Sequence, residues 1–291
     1  MTSHISRASS SQEVSDGSAL EIDNVLVEEF QKRVMTWWEK NARTLPWRDE
    51  PTPYMVLVSE VMLQQTQVNR VIPKYLKFIE IFPTLESLAE AETKRLLQVW
   101  SGLGYNRRAI WLRDAARDIV KRGEFPQTSE ELCALKGIGP YTSRSILVFA
   151  FNRDLAAIDT NIRRVLIASG FANEEMSDCQ LQAVADRLVL KGRSSDWHNA
   201  LMDYGSEVLT SSTTGIAPTS SQPKFTGSNR QLRGAIIRHL TCTDSLSIES
   251  LISNIIEEGI NPDNLESILE QLIEEGFVER TVNFEFRIAE C

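Results

Sequence analysis

The chain has 291 residues, 42% hydrophobic and 24% charged, with a net charge of −9, the proportions of a globular protein of about two domains. No apolar run approaches the roughly 18 residues of a membrane span, and the Ser-rich, polar start has no apolar core to make it a secretory signal. Cys133, Cys179, Cys242 and Cys291 are scattered without a Cys-x-x-Cys pair, and there are 3 His, which speaks against structural zinc or an iron–sulfur site and for a reducing, cytoplasmic setting.

The acidity is local. Residues 244–291 hold 12 Asp/Glu against 2 Lys/Arg, while the other 243 residues hold 28 acids against 29 bases. In that larger part Arg107, Arg108, Arg113, Arg117, Lys121 and Arg122 oppose only Asp114 and Asp118. Helical spacing gathers several of these bases on one side, either as a solvated face or as a stripe for local phosphate contact.

Residues 1–23 read as a disordered tail, rich in Ser and poor in apolar residues. Helical periodicity begins near Asn24, with Val25, Phe30, Val34 and Trp37 in an apolar stripe, and runs to about Asn41. A Pro-punctuated extended loop, Arg43 to Arg48, follows. Tyr54, Leu57, Val58, Val61 and Met62 share the next helical face, with Glu60 at its border and expected to be partly desolvated. Further helices are predicted over Val71–Phe82, Thr84–Ala91, Thr93–Trp100 and Asn106–Lys121.

The sequence Gly137-Ile138-Gly139-Pro140-Tyr141-Thr142 then separates a short helix, Glu130 to Ala134, from an apolar run, Ser145 to Phe151. A Gly-x-Gly turn opening a helix points free N–H groups outward, where an anion is the natural ligand. Such a turn commonly does no more than cap a helix. With Asp159 eighteen residues after Tyr141, it also fits a helix-hairpin-helix gripping a DNA phosphate, with a carboxylate placed to reach the neighbouring sugar.

Helical patterns continue at Asn161–Ser169, Cys179–Leu190 and Asp196–Leu209. Residues 210–228 form a Ser/Thr/Gly/Pro-rich linker or strap, with Phe225 as its apolar anchor. Three helices follow, Gln231–Leu240, Ile248–Glu258 and Asn264–Glu275, and then two short alternating segments around Thr281–Asn283. That order is a winged helix, or else a small appendage that packs on the main domain.

Residues 30–210 resemble the helix-hairpin-helix DNA glycosylase superfamily, most closely its MutY-type adenine DNA glycosylases. The resemblance is carried, in order, by Leu45-Pro46-Trp47-Arg48, the run Ser59 to Val68 with its Gln64-Gln65-Thr66, Trp100 to Tyr105, Gly137 to Thr142, Asp159 to Leu166 and Ala200 to Gly205. It implies a mainly α, two-lobed helix-hairpin-helix fold over 24–209, joined by the 210–228 strap to a small winged-helix-like acidic domain at 229–291. The implied partner is double-stranded DNA with a mismatched or damaged pair, bound by a monomer in the cytoplasm or nucleoid. The acidic domain is left to a protein partner.

The implied reaction is removal of adenine paired with G or 8-oxoguanine. Glu60 would protonate the base, Asp159 would face the cationic sugar, and Tyr141 and Asn161 would orient these groups and the water. Taken alone, Glu60 is equally a border carboxylate and Asp159 a helix N-cap. Gln65, Thr66, Leu103 and Tyr105 match the residues that enter the duplex and read the opposite base. Arg43, Leu45, Trp47, Arg48 and Asp203 match the adenine pocket, although Leu45 and Trp47 also suit core packing. Lys136, Gly137 and Gly139 match the phosphate grip. Tyr141 stands where strand-cleaving relatives carry a Schiff-base lysine, so the resemblance implies a monofunctional enzyme.

Two departures are plain. Leu209 takes the place of the first of four cysteines that in the family hold a [4Fe–4S] cluster, and residues 210–228 contain none. No metal or cofactor is therefore expected. The family's Nudix-like domain, which reads 8-oxoguanine, is not matched by residues 229–291. A mismatch thymine or uracil glycosylase, or a non-enzymatic DNA-binding module recruiting a partner, are the competing readings.

Overall fold

The computed structural model describes residues 22–219 and 224–290, and among them nearly all the regular secondary structure is helical. The polar tail expected over residues 1–23 lies outside the described residues except for Ile22 and Asp23.

Helix α1 (Asn24–Asn41) opens on Asp23, whose carboxylate accepts from the Val25 N–H. The loop to Arg48 leads into α2 (Pro53–Leu63), started by a Thr52 cap and Pro at its first position. Then come α3 (Val68–Ile81), α4 (Leu85–Ala89), α5 (Thr93–Trp100) and α6 (Arg107–Arg122). Gly123, at φ 84°, ends α6 in the left-handed conformation. The hairpin consists of α7 (Ser129–Cys133) and α8 (Pro140–Phe151). Helix α8 begins at Pro140, five residues before the apolar run that marked it in the sequence, because proline is tolerated in a first turn and periodicity does not see it.

Two apolar cores result. The first lobe, α2 to α8, closes over Leu57, Met62, Phe78, Leu96, Trp100 and Leu112. The second lobe is built from α9 (Thr160–Ala168), α10 (Asp178–Arg187) and α11 (Ser194–Glu207), with α1 returning to complete it. Phe30 of α1 meets Trp197 edge-on there, centroids 5.5 Å apart. The chain thus crosses between lobes at residues 42–52 and again at 152–159, and the cleft between the lobes is bounded by both crossings.

The strap contains a short helix, α12 (Ser211–Thr214). Among its described residues the buried side chain is Ile216, whereas Phe225 is 52% exposed and does not anchor it. The C-terminal unit has α13 (Asn229–Cys242), α14 (Ile248–Glu257) and α15 (Leu265–Glu274), followed by antiparallel β1 (Val278–Arg280) and β2 (Phe286–Ile288) in the register Val278↔Ile288. Leu246 bridges to Phe286 as a rudimentary third strand. This winged-helix order is not free-standing, because α13 packs on α5 and its apolar residues continue the first lobe's core.

The basic stripe expected on α6 is divided, with Arg107, Arg117, Lys121 and Arg122 exposed and the other two bases internal. Arg108 and Arg113 are buried. Arg113 donates to the Ala91 carbonyl and Thr93 hydroxyl, and Arg117 to the Ala89 carbonyl, so two of these arginines satisfy carbonyls at the end of α4. Arg107 pairs with Glu275 and Arg122 with Glu131. Charge spacing alone cannot reveal that α4 lies across this face.

Candidate active site

A cleft of about 830 Å³ separates the lobes. It receives Glu60 from α2, Tyr141 from the first turn of α8, and Asp159 and Asn161 from the start of α9. Arg43, Leu45, Trp47, Arg48, Gln65 and Thr66 also line it. The four residues expected to act on the bond and six of those expected to bind DNA or the base therefore converge on one space.

Glu60 is only 8% exposed, more buried than its border position in the sequence suggests. Helix α2 packs against α3, α6 and α8, so almost every residue from Tyr54 to Met62 is buried and only a narrow strip borders the cleft. The Ser145 hydroxyl donates to Glu60 Oε2 at 2.6 Å. Burial pushes the Glu60 carboxyl up to about 7, the Ser145 bond opposes the rise, and the Asp159 charge adds to it.

Asp159 is the N-cap of α9. Its Oδ1 accepts the Ile162 N–H at 2.7 Å, and its Oδ2 accepts the Asn161 amide at 2.9 Å. Burial raises this carboxyl too, against those donors and the Arg164 charge. The two acids are thus unequal. Glu60 has one hydroxyl to hold its charge, whereas Asp159 has two donors, the Arg164 charge and a helix N-terminus opposing the rise. Tyr141 is 36% exposed at the cleft wall. Burial of its hydroxyl, then the charges of Glu60 and Asp159, push the phenol well above its ordinary value, with the Ser145 hydroxyl opposing. It stays neutral.

Asp203 does not line the cleft. It is fully buried behind it and accepts from Arg43 N (3.0 Å), Arg43 Nε (2.6 Å), Arg48 Nη1 (2.8 Å), Arg48 Nη2 (2.9 Å) and Trp38 Nε1 (3.1 Å). Burial would raise its pKa, but the Arg48 and Arg43 contacts win and hold it below the usual carboxylate range. Its effect is to pin the Arg43–Arg48 loop, with Leu45 and Trp47, onto α11. Leu45 is itself buried, and Trp47 packs edge-on against Tyr75 at 5.4 Å. Both serve the core and the pocket wall together.

In the hairpin turn Gly137 has φ 79°, and a Cβ there would meet Trp111 Cε3 at 3.0 Å. Protein geometry therefore requires this glycine. Gly139 has an extended backbone, and a Cβ would meet nothing within 4 Å. Lys136 pairs with Asp114 at 3.3 Å and is otherwise exposed.

Gln65 and Tyr105 are both left-handed, at φ 54° and 47°, which is uncommon for non-glycine residues. Buried Arg108 holds both loops. It donates to the carbonyls of Val61 (2.8 Å), Met62 (3.1 Å), Gln64 (2.5 Å), Leu103 (3.2 Å) and Gly104 (3.2 Å), and to the Thr66 hydroxyl (3.1 Å). Leu103, expected to touch DNA, is 3% exposed and faces the first lobe's core, so it packs beneath the loop.

Sequence reasoning missed Ser145, Arg108 and Arg164. Ser145 lies four residues after Tyr141, on the same face of α8, so helical spacing offered a signal. Arg164 Nη2 donates to Asn161 Oδ1 and to the Gly205 carbonyl, both at 2.7 Å. A Cβ at Gly205 would meet Asn161 Cβ at 3.0 Å, which explains the glycine after Met202-Asp203-Tyr204. Nothing in the sequence signals that Arg108 is buried.

Residues 58–189 match the family model described as HhH-GPD superfamily base excision DNA repair protein. The chain is 32% identical over 281 residues to the adenine DNA glycosylase of Mycolicibacterium smegmatis, covering 88% of this chain and 94% of that protein. It is 36% identical over 201 residues to the adenine DNA glycosylase of Rattus norvegicus, covering 62% of this chain and 38% of the longer rat protein. Among solved structures it is similar to a thermostable thymine-DNA glycosylase, with 26% identity and a TM-score of 0.59, covering 64% of this chain and 89% of that one. A non-covalent endonuclease III–DNA complex, at 18% identity and a TM-score of 0.58 over 68% of this chain and 91% of that one, shares the fold.

The raised Glu60 carboxyl has a consequence for stability. Below pH 4.5 the group is neutral in folded and unfolded chains alike, and nothing is lost. Between 4.5 and about 7 the unfolded chain ionises first, so stability falls as pH rises, by about 3 kcal/mol in all. Glu60→Gln removes this loss. The variant is expected to match the wild type near pH 4 and to be more resistant to denaturant at pH 8. Parallel pH profiles for the two proteins would show that Glu60 titrates in its ordinary range.

Proposed function

The chain belongs to the adenine DNA glycosylases of the helix-hairpin-helix superfamily, and from that premise we propose that it hydrolyses the N-glycosidic bond of an adenine flipped out of duplex DNA opposite guanine or 8-oxoguanine. The observation that carries this reading is the pair of unequally held acids in a single cleft between the lobes, Glu60 raised to about 7 with one hydroxyl donor and Asp159 with two donors and the Arg164 charge.

A flipped base enters between the Trp47 wall and Glu60. Glu60 gives its proton to a ring nitrogen of adenine, so the electron pair of the C1′–N9 bond leaves on a neutral base. Positive charge develops on the sugar, where Asp159 already stands ionised and held by its donors. Water adds to C1′ and its proton returns to the carboxylate of Glu60. A purine gains more than a pyrimidine from ring protonation, so a buried acid with a pKa near neutrality favours adenine over thymine or uracil. At Gly139, where no neighbour excludes a side chain, the missing Cβ leaves the turn open to close approach by a phosphate. Opposite-base reading falls to Gln65 and Tyr105.

With single-turnover kinetics on an A·G duplex, Glu60→Gln and Asp159→Asn are each expected to lower adenine release by about 10²–10³-fold while duplex binding persists. Asn keeps the helix cap, so an inactive Asp159→Asn protein that still melts like the wild type isolates the charge. Near-normal release by Glu60→Gln would sink the mechanism.

The product is read as an intact abasic strand. Tyr141 lines the cleft where an imine-forming lysine would have to stand, and a phenol forms no imine. Borohydride is expected to trap little or no protein–DNA adduct. Efficient trapping that disappears on replacing one lysine would overturn this.

We read the chain as cluster-free. Leu209 packs against the second lobe's core, its carbonyl accepting from Arg164 Nε at 2.6 Å, and residues 210–228 supply no cysteine to ligate iron. Among the described residues no His, Cys, Asp and Glu group is arranged to hold a metal. Elemental analysis of the purified protein is expected to find no stoichiometric iron, and stoichiometric iron with visible absorbance would refute the assignment.

A further inference from the structure

The side chain of Tyr105, 40% exposed, is gripped by a residue far away in the chain. Arg230, in the first turn of α13, donates from Nη1 to the Tyr105 hydroxyl at 2.8 Å. Its guanidinium also lies 5.7 Å from the Tyr105 ring centroid and 6.0 Å from that of Phe225. Arg108 reaches the same ring at 5.5 Å and holds the Gly104 carbonyl just before it. The end of α13 that presents Arg230 is itself fixed. Glu275, following α15, pairs with Arg107 at 2.7 Å and also with Arg233, so the C-terminal unit is clamped to the first turn of α6, directly after Tyr105.

A tyrosine on a surface loop ordinarily samples several rotamers, and ordering it on binding costs affinity. Here backbone and side chain are both arrested before DNA arrives. The hydroxyl oxygen is engaged as an acceptor, which biases its hydrogen outward toward an acceptor on whatever base it meets. Guanine-type bases present such acceptors on both groove edges.

We propose that Arg230 is a positioning residue of the duplex-probing loop, holding Tyr105 through its hydroxyl, and that the C-terminal unit thereby takes part in distinguishing a mispaired purine from a matched pair. The substrate in this inference rests on the glycosylase reading, whereas the coupling of Arg230 to Tyr105 does not. The acidic unit thus acts on DNA recognition through a protein side chain, with no need to enter a groove.

The test is binding of the full chain to two duplexes, one with a tetrahydrofuran abasic analogue opposite guanine and one fully matched. Arg230→Ala and Tyr105→Phe are each expected to reduce the preference for the first duplex about fivefold, the worth of one hydrogen bond. The double variant should lose no more than either single one, and Arg230→Lys should restore part of the preference. Arg280→Ala, which removes a similar charge from the wing without approaching Tyr105, should leave the preference intact, and melting curves confirm folding. Equal weakening on both duplexes by Arg230→Ala would reduce its role to general charge and overturn the proposal, as would additive losses in the double variant. If the wild type keeps the preference yet releases no adenine, the glycosylase reading falls while this inference stands.

Discussion

One guanidinium organises the cleft edge of the first lobe, where the end of α2 meets the Leu103–Tyr105 loop. Arg108 is buried without a carboxylate partner, and its charge is spent on five carbonyls and a hydroxyl drawn from two separate segments. Three of those carbonyls belong to the end of α2, where unsatisfied C=O groups gather negative potential, so a cation is well suited to close that helix. Burial lowers its pKa to about 10, which leaves it charged throughout the range in which the protein folds. Glu60 lies one turn before this cap, and Tyr105 lies three residues before Arg108. Glu60 and the two left-handed loop residues therefore share one anchor.

The second organising contact is Asp203. Two arginines and a tryptophan converge on a carboxylate with no exposed surface, and this joins the Arg43–Arg48 crossing to the second lobe. Removing one partner from such a cluster leaves uncompensated charge in the interior. The pocket wall is thus held by electrostatics behind it, while the pocket face itself presents Trp47, Leu45 and the two acids. Acidity in the C-terminal unit follows a related logic. Glu258, Glu270, Glu275 and Glu279 pair with arginines of the same unit, and Glu275 also reaches Arg107 on α6. Much of its charge is satisfied by intramolecular partners.

The sequence made the helical class legible because the apolar positions recur at helical spacing and the punctuating residues, Pro53, Gly123 and Gly137, fall where helices begin, end or turn. Glu60, Tyr141, Asp159 and Asn161 were also legible, since their motifs occur in order and the structure brings all four into one cleft. The missed features share a physical character. Burial of Arg108 and Arg113 depends on which helix lies across α6, and the inward turn of Leu103 depends on loop conformation. Glu60 is more buried than its periodic position implies because α2 packs against α3, α6 and α8. None of these is a property of local spacing. The strap shows the same limit, for composition marked Phe225 as its anchor, whereas among its described residues Ile216 is the buried one.

Asp159 combines two duties in one side chain, closing the first turn of α9 and presenting a carboxylate to the cleft. Its Oδ1 and main-chain carbonyl accept from Ile162 and Arg163, so the carboxylate keeps its place only while that turn is wound. Helix ends are where chains fray first, at a free-energy cost well below that of global unfolding. Each fraying of α9 releases the negative centre together with Asn161. The placement of both side chains thus depends on the winding of a single helical turn.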